Sequence, residues 1–545
     1  MPSPIVIEDV RGVPMRVFAD RPRSLAQVAD LVRTRPPREY LVCGDRRLTD
    51  HELLADAERI AANLRARGLR PGERVAVLAA NGVEWAAAFW GVVLARGVVA
   101  ALNGWWNAPE LRYALSHCTP RFLVVDTPRF DRLAPEATPA DLVPIESAFV
   151  IGEERPGTEA FGRLLEPPPA GATMPAEQAD EDDPVAIFYT SGTTGRSKGA
   201  VATHRSWIAA VQCLQHLAAQ APPAPAPAAS VPETEARVPD VTLATLPLFH
   251  VSGCQSTLVA GLVAGTRTVL LDGRFDPQRV MALIEAEGVT RWSAVPTMVS
   301  RVCRHPDRGR FDLGSVRAIS YGGSPAPPEL PALVRATFPN VRSVANAYGL
   351  TESGTVIAVN SGADFERRPH SVGRPFPLIE VRIVDGEIQL RGPMIMPGYW
   401  DDPAATAEIL SADGWLHTGD IGHLDDDGFL YVTDRAKDVV IRGGENVYPA
   451  EIEQRLGEHP EVVEAAVVGV PDGDLGEAVK AFVRLAPGST VTDDQLATFV
   501  AGALASFKVP AVWERVSGPL PRNATGKLLK TLLRSGDDAR VDEVL

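Results

Sequence analysis

Tyr189-Thr190-Ser191-Gly192-Thr193-Thr194-Gly195-Arg196-Ser197-Lys198-Gly199 follows directly on the strand-like run Pro184 to Phe188. Its glycines let backbone amides turn toward an anion, its hydroxyl side chains add donors, and Lys198 adds a positive charge. That is the chemistry of a phosphate cradle. The spacing excludes a Walker loop, because Gly192 and Gly195 stand too close together and Lys198 does not directly follow a glycine. The same composition also suits a plain turn at the end of a strand.

Upstream of this string two periodicities alternate. Thr49 and Glu52 stand at capping-box spacing before Leu53, Ala57, Ile60, Ala61 and Leu64, which recur at helical intervals until Gly68 stops them. A strand Arg74 to Leu78, a helix Trp85 to Ala95, a strand Val98 to Leu102, a helix from Pro109 and a strand Phe122 to Val125 follow. Downstream, similar strands recur at Val241 to Leu246, Thr268 to Leu271, Arg291 to Val295 and Arg317 to Ser320. Such alternation predicts an α/β fold with layered, largely parallel sheets. From about Val372 the pattern turns glycine-rich and strand-like, as in Glu380 to Val384 and Glu387 to Leu390, which predicts a β subdomain over 372–435. The Ala/Pro-rich stretch 220–239 suits neither helix nor central strand. Beyond Arg435 a second pattern begins, with helices Pro449 to Leu456 and Asp494 to Leu504 and strands Val462 to Val468 and Ala481 to Leu485. The expected division is a large domain over 1–435 and a small α+β domain over 436–545.

The whole chain of 545 residues is too long for one ordinary core, and 45% hydrophobic with 23% charged residues is the balance of a globular protein. A net charge of −15 without a local basic patch opposes binding to nucleic acid or anionic lipid. Anionic ligands must therefore be met by placed cations, backbone amides or a metal ion. The five cysteines form no CxxC pair and read as reduced core thiols. No signal-peptide pattern opens the chain and no run of about 18 apolar residues occurs, so a cytoplasmic protein without integral membrane association is expected.

Further motifs stand along the chain: Leu246-Pro247-Leu248-Phe249-His250-Val251-Ser252-Gly253, Tyr321-Gly322-Gly323-Ser324-Pro325, Asn346-Ala347-Tyr348-Gly349-Leu350-Thr351-Glu352, Trp415-Leu416-His417-Thr418-Gly419-Asp420, Asp434-Arg435-Ala436-Lys437-Asp438, Arg442-Gly443-Gly444-Glu445-Asn446 and Pro521-Arg522-Asn523-Ala524-Thr525-Gly526-Lys527. Singly, each has a plain reading. His250 suits a satisfied turn histidine, Glu352 a solvated carboxylate, Gly443 and Gly444 a turn before the helix at Pro449, and Lys527 a solvated lysine. In this order, over nearly the whole chain, they resemble the adenylate-forming (AMP-binding) superfamily, which contains acyl-CoA synthetases, nonribosomal adenylation domains and beetle luciferases. Ser197 stands where that family usually has proline.

The resemblance implies roles. Thr190, Ser191, Gly192, Thr193, Thr194, Gly195 and Lys198 hold phosphate, and His250 closes the acyl pocket. Gly322, Gly323, Ser324, Ala347, Tyr348 and Gly349 border adenine. Thr351 donates to phosphate, and Glu352 with Thr194 holds Mg2+. Asp420 and Arg435 face the ribose, Lys437 is the pivot of a mobile small domain, and Gly443 and Gly444 border the pantetheine path. Lys527 is the catalytic lysine of adenylation. The implied activity is an ATP-dependent carboxylic acid:CoA ligase, using ATP, Mg2+ and coenzyme A. Val251 to Ala264, rich in small and aliphatic residues and without an obvious Arg or Lys for a second carboxylate, suits a fatty, aryl or polycyclic acid. Trp105 and Trp106 read as packing. An acyl carrier protein as acceptor and a catalytically silent nucleotide- or acyl-binding regulator are the alternatives, and the oligomeric state is left open.

Overall fold

The computed structural model describes residues 3–133, 145–170, 179–190, 197–220, 240–324, 326–442, 445–472, 475–522 and 528–535. Ser191, Gly192, Thr193, Thr194, Gly195, Gly443, Gly444 and Lys527 lie outside the described residues, as does 221–239 of the Ala/Pro-rich stretch.

Helix Asp50–Ala66 starts as its sequence requires. The Thr49 hydroxyl accepts from the Glu52 amide at 3.1 Å, and the Glu52 carboxylate accepts from the Thr49 amide at 2.8 Å. Leu53, Ala57, Ile60, Ala61 and Leu64 are buried on its inner face, which packs on helix Val83–Leu94. That second helix is apolar on all sides because it touches strands of both large sheets. Gly91 permits the close approach, since a Cβ there would lie 2.4 Å from Ile60 Cγ2. Phe89 on the same helix lies between Trp85 and Trp207, with ring centres 5.9 and 5.5 Å away. Burying a ring of this size contributes about 1.5–3 kcal/mol.

Among the described residues the strands form two large sheets. One has seven strands in the order 198–203, 184–190, 98–101, 74–78, 122–126, 147–151, 159–160. It is parallel except where Lys198–Thr203 pairs antiparallel with Pro184–Thr190. The other has nine, in the order 374–375, 355–361, 343–350, 318–322, 291–294, 241–244, 267–270, 39–43, 46–49, with a parallel centre and antiparallel edges. The strand Lys198–Thr203 is not announced by the sequence. It is buried over Gly199–Thr203 and so shows no alternation.

Strands Glu380–Val384, Glu387–Arg391, Leu416–Leu424 and Leu430–Arg435 form a four-stranded antiparallel sheet. After the short turn Ala436–Asp438 a further sheet follows, in which Gly476–Leu485 pairs with Val462–Asp472 on one side. Helices Pro449–Gly457 and Asp493–Ala501 pack on it over a core that includes Ile452, Leu456, Val467, Val479, Leu496 and Val500. The result is a large N-terminal α/β domain of layered sheets and a small C-terminal α+β one. No helix among the described residues is long and apolar enough to cross a membrane.

Candidate functional site

The two ends of the Gly-rich string are cross-strand partners, because Thr190 stands opposite Lys198 in the antiparallel ladder. Lys198 is therefore held at the mouth of a hairpin rather than on a free loop. Its ammonium lies 5.2 Å from the centre of the Tyr399 ring and 3.7 Å from the Glu408 carboxylate. The Tyr399 hydroxyl donates to Glu352 Oε1 at 2.8 Å. Two residues some 150 positions apart in the chain are thus joined through a third.

Glu352 sits on the short 3-10 turn Thr351–Ser353, where strand Ser343–Leu350 doubles back into Thr355–Ser361. Ser353 ties this turn, its hydroxyl donating to Leu350 O and Thr355 O and accepting from the Leu350 amide. Gly349 allows the reversal, since a Cβ there would meet Thr355 O at 2.0 Å. The Thr351 hydroxyl makes no hydrogen bond among the described residues, so it is available to a ligand. Gly322 stands beside Ala347 in the parallel ladder, and a Cβ on it would lie 2.4 Å from Ala347 O. The turn continues through Gly323, at φ 82°, to Ser324. These glycines are required by backbone contact before any ligand is considered.

A second chain of contacts runs from the same strand. The Tyr348 hydroxyl donates to Asp420 Oδ2 at 2.6 Å, and Arg435 Nε lies 2.8 Å from Asp420 Oδ1. Asp420 is only 3% exposed, and its amide donates to Thr418 Oγ1. The carboxylate is therefore oriented on both oxygens, each with one further lone pair for a ligand hydroxyl. Arg435, which the resemblance puts against the ribose, is engaged by Asp420 directly. Burial and the Asp420 charge push the Tyr348 phenol well above its ordinary pKa, so it stays a donor. Lys437 follows on the turn Ala436–Asp438 and is exposed.

His250 ends a tightly reversed segment. Its amide donates to Pro247 O at 3.1 Å, and a Cβ on Gly253 would lie 2.1 Å from that same oxygen. Asn81, on the bend between strand Arg74–Leu78 and helix Val83–Leu94, holds the segment on both sides: Nδ2 donates to Leu246 O and Oδ1 accepts from the Leu248 amide. His250 Nε2 is buried and has no partner among the described residues, its ring lies 4.8 Å from that of Phe249, and burial pushes its pKa down to about 4. The imidazole is neutral at ordinary pH. The π-helical segment Ser252–Val259 comes next, and its Ser256 hydroxyl bonds that of Thr355 at 2.8 Å, linking it to the Glu352 turn.

A cavity opens beside Phe249, lined also by Trp105, Thr245 and Met298, with Arg129 and Arg274 on its wall. Trp105, read from sequence as packing, meets Phe249 edge-on at 4.9 Å and forms part of this lining. Trp106 packs on Tyr189 as expected. The two arginines on this wall, Arg129 and Arg274, lie outside the segment 251–264. Arg129 is tied to Asp126 and donates to Gly104 O. Tyr399 and Asn81 escape sequence reasoning because each acts on residues far away in the chain. Only the turn-forming Pro397-Gly398 before Tyr399 marks either of them locally.

The Glu352 site suits a magnesium ion on one count. Oε1 is held by Tyr399, and Oε2 has no partner among the described residues. A cation there would take one carboxylate and complete its shell with phosphate and water, as Mg2+ does.

Residues 28–400 match the family model for the AMP-binding enzyme, and residues 451–527 that for the AMP-binding enzyme C-terminal domain. A methyl-dioxo-octahydroindenyl-propanoyl:CoA ligase of Rhodococcus jostii is 36% identical over 503 residues, covering 90% of this chain and 94% of that one. A fatty acid–[acyl-carrier-protein] ligase of Streptomyces coeruleorubidus is 35% identical, covering 93% and 95%. The o-succinylbenzoate CoA synthetase of Bacillus subtilis, solved with its acyl-adenylate intermediate, superimposes with a TM-score of 0.77 at 30% identity, covering 96% and 99%. The chain belongs to the AMP-binding enzyme family, the adenylate-forming superfamily.

Proposed function

We propose that this protein is an ATP-dependent carboxylic acid:CoA ligase that forms an acyl adenylate from a hydrophobic acid and passes the acyl group to coenzyme A. It is an acid–thiol ligase of the AMP-forming kind. The observation that carries the reading is the pairing, on one strand and the turn after it, of the Tyr348–Asp420–Arg435 chain with the Thr351–Glu352 turn. One offers a buried carboxylate to a ribose; the other offers a hydroxyl and a carboxylate to phosphates and their cation.

A carboxylate is a poor acyl donor because its oxygen is a poor leaving group, and joining it to AMP removes that obstacle. In this reading the acid attacks the α-phosphate of ATP and pyrophosphate leaves. Lys198 and Thr351 meet the charge that develops there, and Lys527 joins them by resemblance. Glu352 would hold a magnesium ion, with Thr194 by resemblance, and the ion would supply neutralisation of the phosphates. The neutral His250 and Phe249 border the acyl group without adding charge to it.

The small domain over 436–545 then turns about Lys437 against the large domain over 1–435, which includes the β subdomain over 372–435. Lys527 leaves the site, and the Gly443-Gly444 segment turns toward it. A free thiol of pKa about 8.5 is nucleophilic enough toward an acyl phosphate anhydride for no separate base to be needed. The Rhodococcus relative, named for a polycyclic acid, supports a bulky apolar substrate. A cytoplasmic location belongs to the same proposal, supported by five unpaired cysteines.

A second reading keeps the first half-reaction and loads a carrier protein, as the name of the Streptomyces relative states for that enzyme. Pyrophosphate release measured across fatty, aryl and polycyclic acids, followed by mass analysis after adding coenzyme A or a phosphopantetheinylated carrier protein, separates the two. Acyl-CoA as product is the expected result. Thioester on the carrier alone would move the acceptor, and no pyrophosphate with any acid class would remove the ligase reading.

A further inference from the structure

The loop 396–400 carries none of the residues assigned above, yet it joins two of them. Its backbone is fixed to the strand that bears Lys198: Val201 N donates to Gly398 O at 3.1 Å, Trp400 N donates to Gly199 O at 2.7 Å, and Tyr399 bridges to Ala200. The Tyr399 amide donates to Thr406 Oγ1 at 2.9 Å. From the same loop, Met396 N donates to Glu352 O at 2.9 Å, while the Tyr399 hydroxyl reaches Glu352 Oε1 at 2.8 Å. One loop thus grips both the backbone and the carboxylate of Glu352, with Lys198 over the ring of the same tyrosine.

We propose that Tyr399 is a positioning residue of the adenylation half-reaction, fixing the Glu352 carboxylate through its hydroxyl and the Lys198 ammonium through its ring. The proposal rests on the reading of Glu352 as a magnesium ligand. A carboxylate on a short turn samples several rotamers, and a hydrogen bond on one oxygen holds the other ready for a cation. The ring meets Lys198 at cation–π distance, an attraction that requires no proton.

Tyr399→Phe keeps the ring and removes the hydroxyl, which makes it the test. Calorimetric titration with ATP should show about tenfold weaker binding than wild type in Mg2+ and equal binding in EDTA, the loss expected for one hydrogen bond to a charged group. The Mg2+ concentration for half-maximal pyrophosphate release should rise, while thioester formation from presynthesised acyl adenylate keeps its rate. In a Glu352→Gln background the tyrosine substitution should add nothing further. An unchanged Mg2+ dependence, an equal loss in EDTA, or equal loss in both half-reactions would overturn the proposal. If wild type gains no ATP affinity from Mg2+, the metal reading of Glu352 fails and this proposal with it. A wild type that binds ATP with Mg2+ but releases no pyrophosphate sinks the ligase reading alone, since the binding comparison still decides the role of Tyr399.

Discussion

Asp420 illustrates how much one buried carboxylate organises. Tyr348 and Arg435 reach it from a different sheet and from the adjacent strand respectively, so its orientation is set before a nucleotide arrives. Asp420→Asn removes the charge that balances Arg435 and one of the two oxygen acceptors. The KM for ATP should rise about 10- to 100-fold, the loss expected for charge-assisted hydrogen bonds, while the KM for the acid at saturating ATP stays put. Steady-state kinetics with each substrate varied in turn checks this. Lys527→Ala should abolish acyl-adenylate formation and spare thioester formation from presynthesised adenylate, followed by single-turnover assays; equal loss of both would remove its assigned role. Residues of these two kinds differ in legibility. Asp420 and Lys527 lie in strings whose order along the chain is informative, whereas Tyr399 and Asn81 are isolated side chains whose meaning comes only from partners at Glu352 and Leu246.

Elements were legible where local chemistry dictates them. The Thr49–Glu52 capping box, the helical stripe from Leu53 to Leu64 and the strand Arg74–Leu78 stand where periodicity puts them. Strand Lys198–Thr203 does not, because a fully buried strand loses the alternation that would mark it. The proposed hinge shows a further element-scale dependence. Helix Pro449–Gly457 receives no side-chain cap from Tyr448, and Asp434, the residue before Arg435 in the preceding strand, accepts from the Ala450 amide at 2.9 Å instead. The cap crosses the turn Ala436–Asp438, so rotation there would hand the Ala450 amide to water or another acceptor. Lys437→Pro fixes one backbone dihedral of that turn. It should slow thioester formation preferentially while leaving pyrophosphate release near wild type, measured by stopping each half-reaction separately; unchanged rates in both would count against a pivot at this position.

At the scale of the whole molecule, stability should depend on pH through His204. This residue is 3% exposed, and its Nδ1 accepts from the Leu25 amide at 3.1 Å at the start of helix Leu25–Arg33. Burial, aided by Arg96 and opposed by Asp183 and Asp180, pushes its pKa from 6.5 down to about 4. The folded ring thus stays neutral where the unfolded one takes a proton. Its contribution is fully present above about pH 6.5 and is lost as pH falls toward 4, by about 3 kcal/mol at most. Denaturation midpoints of wild type and His204→Gln, whose amide oxygen can still accept from Leu25, should converge across this window as the wild type weakens. Parallel curves would show that His204 does not titrate against folding.

The Phe249 cavity has one more property. Of the nine tryptophans in the chain, Trp85, Trp90, Trp207 and Trp292 are at most 1% exposed, and Trp105 alone among them lines that cavity. The enclosed indoles emit from surroundings that a small ligand does not reach, whereas Trp105 touches Phe249 at the edge of an open space. An apolar acid or thiol chain entering there would change the polarity around a single indole, and the shift in its fluorescence would report occupancy without a label. Subtracting the spectrum of Trp105→Phe would isolate that signal, giving the enzyme an intrinsic optical gauge of which acids it admits.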